Sequence, residues 1–138
     1  MKRVIILFMV LFASYFSFAA IPPKAVQKAF NEKFPTASNV KWGKENSVEW
    51  EAEFTLNGIK VSANFSSNGT WVETETEINV SELPGNIASA IKSKYSNWNI
   101  TGADKIERAD KGLMYEADIR SGKNKKEVIL SAEGIFVK

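Results

Sequence analysis

The sequence predicts an α+β protein in which a helix followed by four antiparallel strands occurs twice, giving a sheet of about eight strands with both helices on one face. Three observations predict it. The hydrophobic period changes from 3.6 to 2 after each of two short helical stretches. Asn-Gly and other glycine turns separate the alternating runs. The two halves of the chain also align with each other.

The alignment is extended. Val26-Gln-Lys-Ala-Phe-Asn-Glu-Lys-Phe34 lies over Ile87-Ala-Ser-Ala-Ile-Lys-Ser-Lys-Tyr95 at an offset of 61, with Pro23 over Pro84. Trp50-Glu-Ala-Glu-Phe54 lies over Tyr115-Glu-Ala-Asp-Ile119 at an offset of 65, and the same offset places Phe65-Ser-Ser-Asn-Gly-Thr-Trp-Val72 over Leu130-Ser-Ala-Glu-Gly-Ile-Phe-Val137. Four residues inserted between helix and strands account for the change of offset. The predicted units are 20–78 and 79–138, sharing one sheet.

Pro22 and Pro23 sit where a first helical turn tolerates proline, and Ala25, Val26, Ala29, Phe30 and Phe34 keep helical spacing until Pro35 stops it. In the second helix Ser81 is the expected N-cap, with Glu82 and Pro84 in the first turn and a stripe of Ile87, Ala88, Ala90, Ile91 and Tyr95. A short strand around Val40 and Trp42 precedes the first meander. Val48, Trp50, Ala52, Phe54 and Leu56 then alternate with polar residues, and Asn57-Gly58 turns the chain. Ile59, Val61, Ala63 and Phe65 follow before the turn at Asn68-Gly69. The second unit repeats this around Ile106, then Leu113 to Ile119, then Val128 and Leu130, then Ile135 and Val137. An apolar sheet face of this kind calls for helices to cover it.

The first residues have the layout of a secretory signal peptide: Lys2 and Arg3, an apolar run from Val4 to Phe12, then Ser17-Phe18-Ala19. A signal peptide over 1–19, cut after Ala19, makes the protein periplasmic or secreted with no stable membrane anchor. Its removal takes Lys2 and Arg3 from 18 basic residues and leaves 16 against 16 acidic ones. Neutral charge removes the electrostatic warrant for nucleic-acid binding. About 119 residues remain, enough for one core without staples. With no cysteine, stability rests on packing rather than disulfides. The four Asn-x-Ser/Thr sequons, at Asn64, Asn68, Asn79 and Asn99, read as turn and strand-end chemistry.

The absence of histidine and cysteine excludes Ser-His-Asp and Cys-His nucleophiles and Cys/His zinc sites. No phosphate-binding glycine loop occurs. Glu49, Glu51 and Glu53, with Glu73, Glu75 and Glu77, form two period-2 ladders. They read as a solvated sheet face with Lys41, Lys44 and Lys60 as cross-strand partners, rather than as catalytic acids. Glutamates alternating along one strand stand about 7 Å apart, too far to converge on a metal unaided. Asp104 and Asp110 read as isolated. No catalytic residue, metal or cofactor is therefore expected.

Trp42 and Trp50 fall on the apolar phase and read as core. Trp71 is in phase with Glu73, and Val72 with Thr74 and Ile78: if Val72 points to the helices, Trp71 lies on the open face with Phe136 as its counterpart in the second half, and the alternative is that both pack in the core. On the open face the two would serve as aromatic anchors.

The motifs "VKW", "WEAEF", "FSSNGTWVE", "YEADI" and "LSAEGIFV", after a signal peptide, resemble the PepSY-like proteins of Gram-negative bacteria, whose fold is like that of the secreted beta-lactamase inhibitor protein. The resemblance spans Ile21 to Lys138. It implies an exported, non-enzymatic protein that binds other proteins, and it transfers no catalytic or ligand residue. The inhibitor's disulfides have no counterpart here. The expected function is inhibitor-like binding of a protein or peptide on the open sheet face through Trp71, Phe136, Glu51, Glu53 and Glu73. The alternative is carriage of an apolar small molecule in a cleft between helices and sheet, lined by Phe30, Phe34 and Ile91.

Overall fold

The computed structural model describes residues 20–137. The signal peptide expected at 1–19 and its cleavage after Ala19 lie outside the described residues. Helix α1 (Lys24–Lys33) is followed by strands β1 (Ser38–Lys44), β2 (Glu49–Leu56), β3 (Ile59–Ser66) and β4 (Trp71–Ile78). A 3-10 turn (Val80–Glu82) leads into α2 (Gly85–Lys94), then β5 (Asn99–Arg108), β6 (Gly112–Ser121) and β7 (Asn124–Ser131). The strands form one antiparallel sheet in sequence order.

Pro23 stands at the N-cap of α1, and the Phe34 N–H closes the last turn on the Phe30 carbonyl at 2.8 Å before Pro35 forbids more. The second helix starts later than its sequence signals suggest. Ser81 lies inside the 3-10 turn, not at the N-cap of α2, because Asn79 takes the capping position: its backbone N–H donates to Glu82 Oε2 at 2.7 Å. Pro84 then caps α2. At the β2–β3 hairpin Asn57 and Gly58 both have positive φ, 52° and 80°, which the two-residue turn demands.

Seven strands form, rather than about eight. After Gly134 the chain returns to β7 through a single bridge, Leu130 to Phe136, and the Val137 N–H donates to the Ile129 carbonyl at 2.8 Å. One bridge is too little for a strand.

Register shows that both helices cover the same face. Opposed residues in antiparallel pairs point the same way, and the rows Trp50–Phe65, Ala52–Ala63 and Phe54–Val61 lie beneath Val26 and Phe30 of α1. Continuing across the sheet, Ala103–Ala117–Val128 lies beneath Ile87 and Ile91 of α2. The core is thus two clusters on one side of one sheet. In the first, the Phe30 ring contacts Phe34, Trp42, Phe54 and Phe65 at centroid distances of 5.0 to 6.3 Å. In the second, Ile87, Ile91, Ile119 and Leu130 are fully buried.

The turn at Gly69 ties sheet to helix. Its φ is +90°, and a Cβ there would stand 2.6 Å from the Ala25 carbonyl oxygen at the start of α1. Gly69→Ala is expected to cost about 2 kcal/mol or more, because both the conformation and the backbone contact oppose a side chain. A thermal melt should show a drop of about 5 °C or more; an unchanged midpoint would mean that the turn does not pack on α1.

Candidate functional site

The sheet face away from the helices holds most of the carboxylates of the strands. Three rows cross it. The first runs Glu51, Asn64, Glu73, Arg108. The second runs Lys41, Glu53, Ser62, Glu75, Ile106, Met114. The third runs Glu77, Asp104, Glu116, Ile129. Strand alternation places these residues together because Ala52, Phe54, Ala63 and Thr74 occupy the helix side between them.

No helix lies over this face, yet Ile106 and Met114 are only 5% and 6% exposed. A concavity of about 490 Å³ opens here, lined by Lys41, Glu53, Lys60, Ser62, Glu75 and Asp104 among others.

Crowding changes the acids. Burial, then the charges of Glu116, Asp104 and Glu73, push the Glu75 carboxyl up to about 8. Glu51 is pushed up to about 7 by burial and by Glu45 and Glu53, and Glu116 to about 7 by burial and by Glu127 and Asp104. Asp104 rises to about 6 by burial and by Asp118 and Glu77. Burial also raises Glu73, against the opposing pull of Arg108, whose Nη1 donates to Glu73 Oε2 at 2.6 Å. Arg108 is shared with Asp110, to which its Nε donates at 2.8 Å. Asp110 is therefore an ion-pair partner and not isolated.

Asp104 is not isolated either. One carboxylate oxygen from each of Glu75, Asp104 and Glu116 lies within 4.8 Å of the others, and Glu116, Asp118 and Glu127 form a second such group. The period-2 ladders alone do not predict this convergence; Glu75, Asp104 and Glu116 meet across β4, β5 and β6, and the second group joins Glu116 and Asp118 of β6 to Glu127 of β7. These triads are the residues that could hold a cation. Carboxyls this close raise the question of a paired-acid hydrolase, whose two groups stand about 5 Å apart or more. Such a pair needs environments that drive the two groups apart in proton affinity, however, and Glu75, Asp104, Glu116 and Glu127 are all driven upward.

Of the residues singled out in the sequence, Glu51, Glu53 and Glu73 share the open face. Trp71 and Phe136 do not, which corrects their expected placement. A bulge leaves Val72 between the pairs Asn64–Glu73 and Phe65–Trp71, so Trp71 leaves the phase of Glu73 and turns to the helix side. There its Nε1 donates to Thr74 Oγ1 at 2.9 Å, and Lys33 Nζ lies 4.1 Å from the ring centroid. Phe136 opposes the buried Leu130 and packs on Tyr95, with Lys94 Nζ 4.3 Å from its centroid. Lys44 likewise faces the helix side, over Trp50. Phe30 and Ile91, offered as walls of a cleft, are 3% and 1% exposed and packed as core.

Asn64, Glu75, Asp104 and Glu116 are the residues of this face that sequence reasoning left out of the site. A signal for one of them existed: the offset of 65 that aligns the two halves places Glu116 under Glu51 and Asp118 under Glu53.

Fold and face together define an α+β protein with two helices on one side of a seven-stranded antiparallel sheet and an open acidic surface on the other. The chain belongs to the beta-lactamase-inhibitor-like, PepSY-like family, whose pattern matches residues 47–138. Among solved structures it is similar to a BLIP-like protein from Bacteroides fragilis (27% identity, TM-score 0.72, covering 87% of this chain and 86% of that one). It is also similar to a DUF2874 family protein from Bacteroides ovatus (24%, TM-score 0.76, 86% of each chain). A third is a protein described as periplasmic from Bacteroides eggerthii (18%, TM-score 0.77, 86% and 88%). No curated protein matches the chain. Among the described residues, no helix is long and apolar enough to cross a membrane.

Proposed function

We propose that this chain is an exported, non-enzymatic binding protein that takes a protein or peptide on the helix-free face of its sheet. The observation that carries the reading is the burial of Ile106 and Met114 among raised carboxyls on a face that no helix covers. Folding alone gives no reason to crowd acids so closely, since like charges opposite one another destabilise a sheet. A surface that remains unfavourable in the free protein is one that a partner can relieve. Membership of a family whose description is inhibitor-like supports a role in binding, as does likeness to a BLIP-like protein. Likeness to a protein described as periplasmic supports export.

The tandem-repeat reading is supported by a contact that recurs: Lys33 over Trp71 beneath α1, Lys94 over Phe136 beneath α2. On that reading each half contributes one acidic patch to a common surface, Glu51 with Glu53 and Glu116 with Asp118.

The face can be tested by capture from the exported fraction of the producing cells. A triple variant, Glu51→Gln, Glu53→Gln and Glu73→Gln, is expected to lose a partner that the unaltered protein retains. A Trp71→Ala, Phe136→Ala variant that is still folded should keep it. Loss in the aromatic variant with retention in the glutamine variant would move the site to the helix side.

A further inference from the structure

Resting on the open-face reading, we propose that the occupant is an extended, lysine- or arginine-bearing segment of a partner protein, laid across the row Glu51, Asn64, Glu73. Three observations on that face point to the same chemistry. The first is charge. Glu51 and Glu73 flank Asn64 directly, and Glu53 and Glu75 stand in the next row. Against these four carboxyls the two rows carry Lys41 and Arg108, and Arg108 is shared with Asp110, so the rows present net negative charge to an incoming cation once the carboxyls ionise.

The second is Asn64. It is 9% exposed, and Ala63 and Phe65 on either side of it point into the core, so its amide is aimed at the open face. Among the described residues no hydrogen bond is made by that side chain. An amide offers donors and an acceptor together, whereas an ionised carboxylate beside it can only accept. The peptide group of an extended chain uses both. A divalent cation would use the oxygen alone, so the amide favours a peptide over a metal.

The third is the apolar floor at Ile106 and Met114, next to Glu75 in register. Lysine and arginine bury aliphatic stems while holding the charge among oxygens. Acids beside an apolar floor suit such a side chain. An ion has no use for the floor. Cation binding would also favour the ionised form of the crowded carboxyls, so the segment should bind more tightly as pH rises, with release of protons.

The test uses the mature protein and a short fluorescent peptide alternating lysine and threonine, read by anisotropy at low and at high salt. Saturable binding that weakens with salt and strengthens between pH 6 and pH 8 is expected. Glu51→Gln with Glu73→Gln should weaken it by about a hundredfold, and Asn64→Ala, which changes no charge, by about tenfold. The Asn64 variant separates docking from bare electrostatic attraction: equal binding by it and the unaltered protein overturns the proposal. The glutamine variants relieve repulsion and should fold, which circular dichroism verifies. Displacement of the peptide by calcium chloride, with saturable calcium binding that is indifferent to Asn64→Ala, would assign the face to a metal instead. A natural partner whose capture depends on the three glutamates but not on salt would leave the open-face reading standing and overturn this one.

Discussion

The protein should melt at a higher temperature at pH 5 than at pH 8, by about 5 to 15 °C. In the unfolded chain the glutamates titrate near 4.5, whereas in the fold Glu75 titrates at about 8 and Glu51 and Glu116 at about 7. Below about pH 4.5 both states hold these protons, and the stability the carboxyls lend is fully present and does not vary with pH. Between there and pH 8 the folded protein retains protons that the unfolded chain has released, so each rise in pH drains stability until the folded carboxyls ionise as well. Each tenfold change in proton affinity is about 1.4 kcal/mol. The acids titrate as a coupled group, and solvent reaches them, so the net loss is about 2 to 4 kcal/mol. Asp110, held below its ordinary value by Arg108, acts in the opposite direction. It lies at the surface, and its effect is confined to more acidic solution. Thermal melts followed by circular dichroism at pH 5, 6.5 and 8 decide the matter. Glu75→Gln should raise the midpoint at pH 8 and flatten the profile; a midpoint constant or rising across this range would show that the face is more open to water than the structure has it.

The second large effect is expected at Phe30. Truncation to alanine empties the centre of an aromatic group that also contains Phe34, Trp42, Phe54 and Phe65. The loss is about 3 to 5 kcal/mol, since transfer and cavity terms add and rings held edge to face cannot collapse into the gap. Ile91→Val, a smaller cut in the other cluster, should cost about 1 kcal/mol. Chemical denaturation with a fluorescence readout measures both. The pairing of β4 with β5 runs unbroken from Glu73 and Arg108 to Ile78 and Ala103 and joins the clusters. Both variants should therefore unfold in one transition. A separate early transition in the Phe30 variant would show that the α1 half melts independently, and a cost near 1 kcal/mol would place Phe30 outside the core.

The aromatic positions show where sequence reasoning reached its limit. Trp50, Phe54 and Phe65 are legible as core because strict alternation places each on one side of its strand. Trp71 shares the phase of Glu73 and would be assigned to the open face by the same rule. The bulge at Val72 breaks the phase, and nothing local in the residues around it announces an extra one. Phe136 follows no strand, so its packing on Tyr95 depends on where a single bridge leaves the chain end. Glu51, Glu53 and Glu73 were legible as members of a solvent-side ladder. Their closeness to Asp104 and Glu116 was not, because that distance is set by the register of β4, β5 and β6.

Two helices, antiparallel strands in sequence order and a helix-covered apolar face follow from periodicity and turn chemistry, which are properties of neighbouring residues. These the amino-acid sequence determined by itself. The tertiary structure decided which acids meet, that the amide of the largely buried Asn64 opens onto the acidic face, and that the two expected anchor rings lie on the helix side. Side chains far apart in the chain come together only through strand register and its bulges, and one residue of slip moves a side chain to the opposite face.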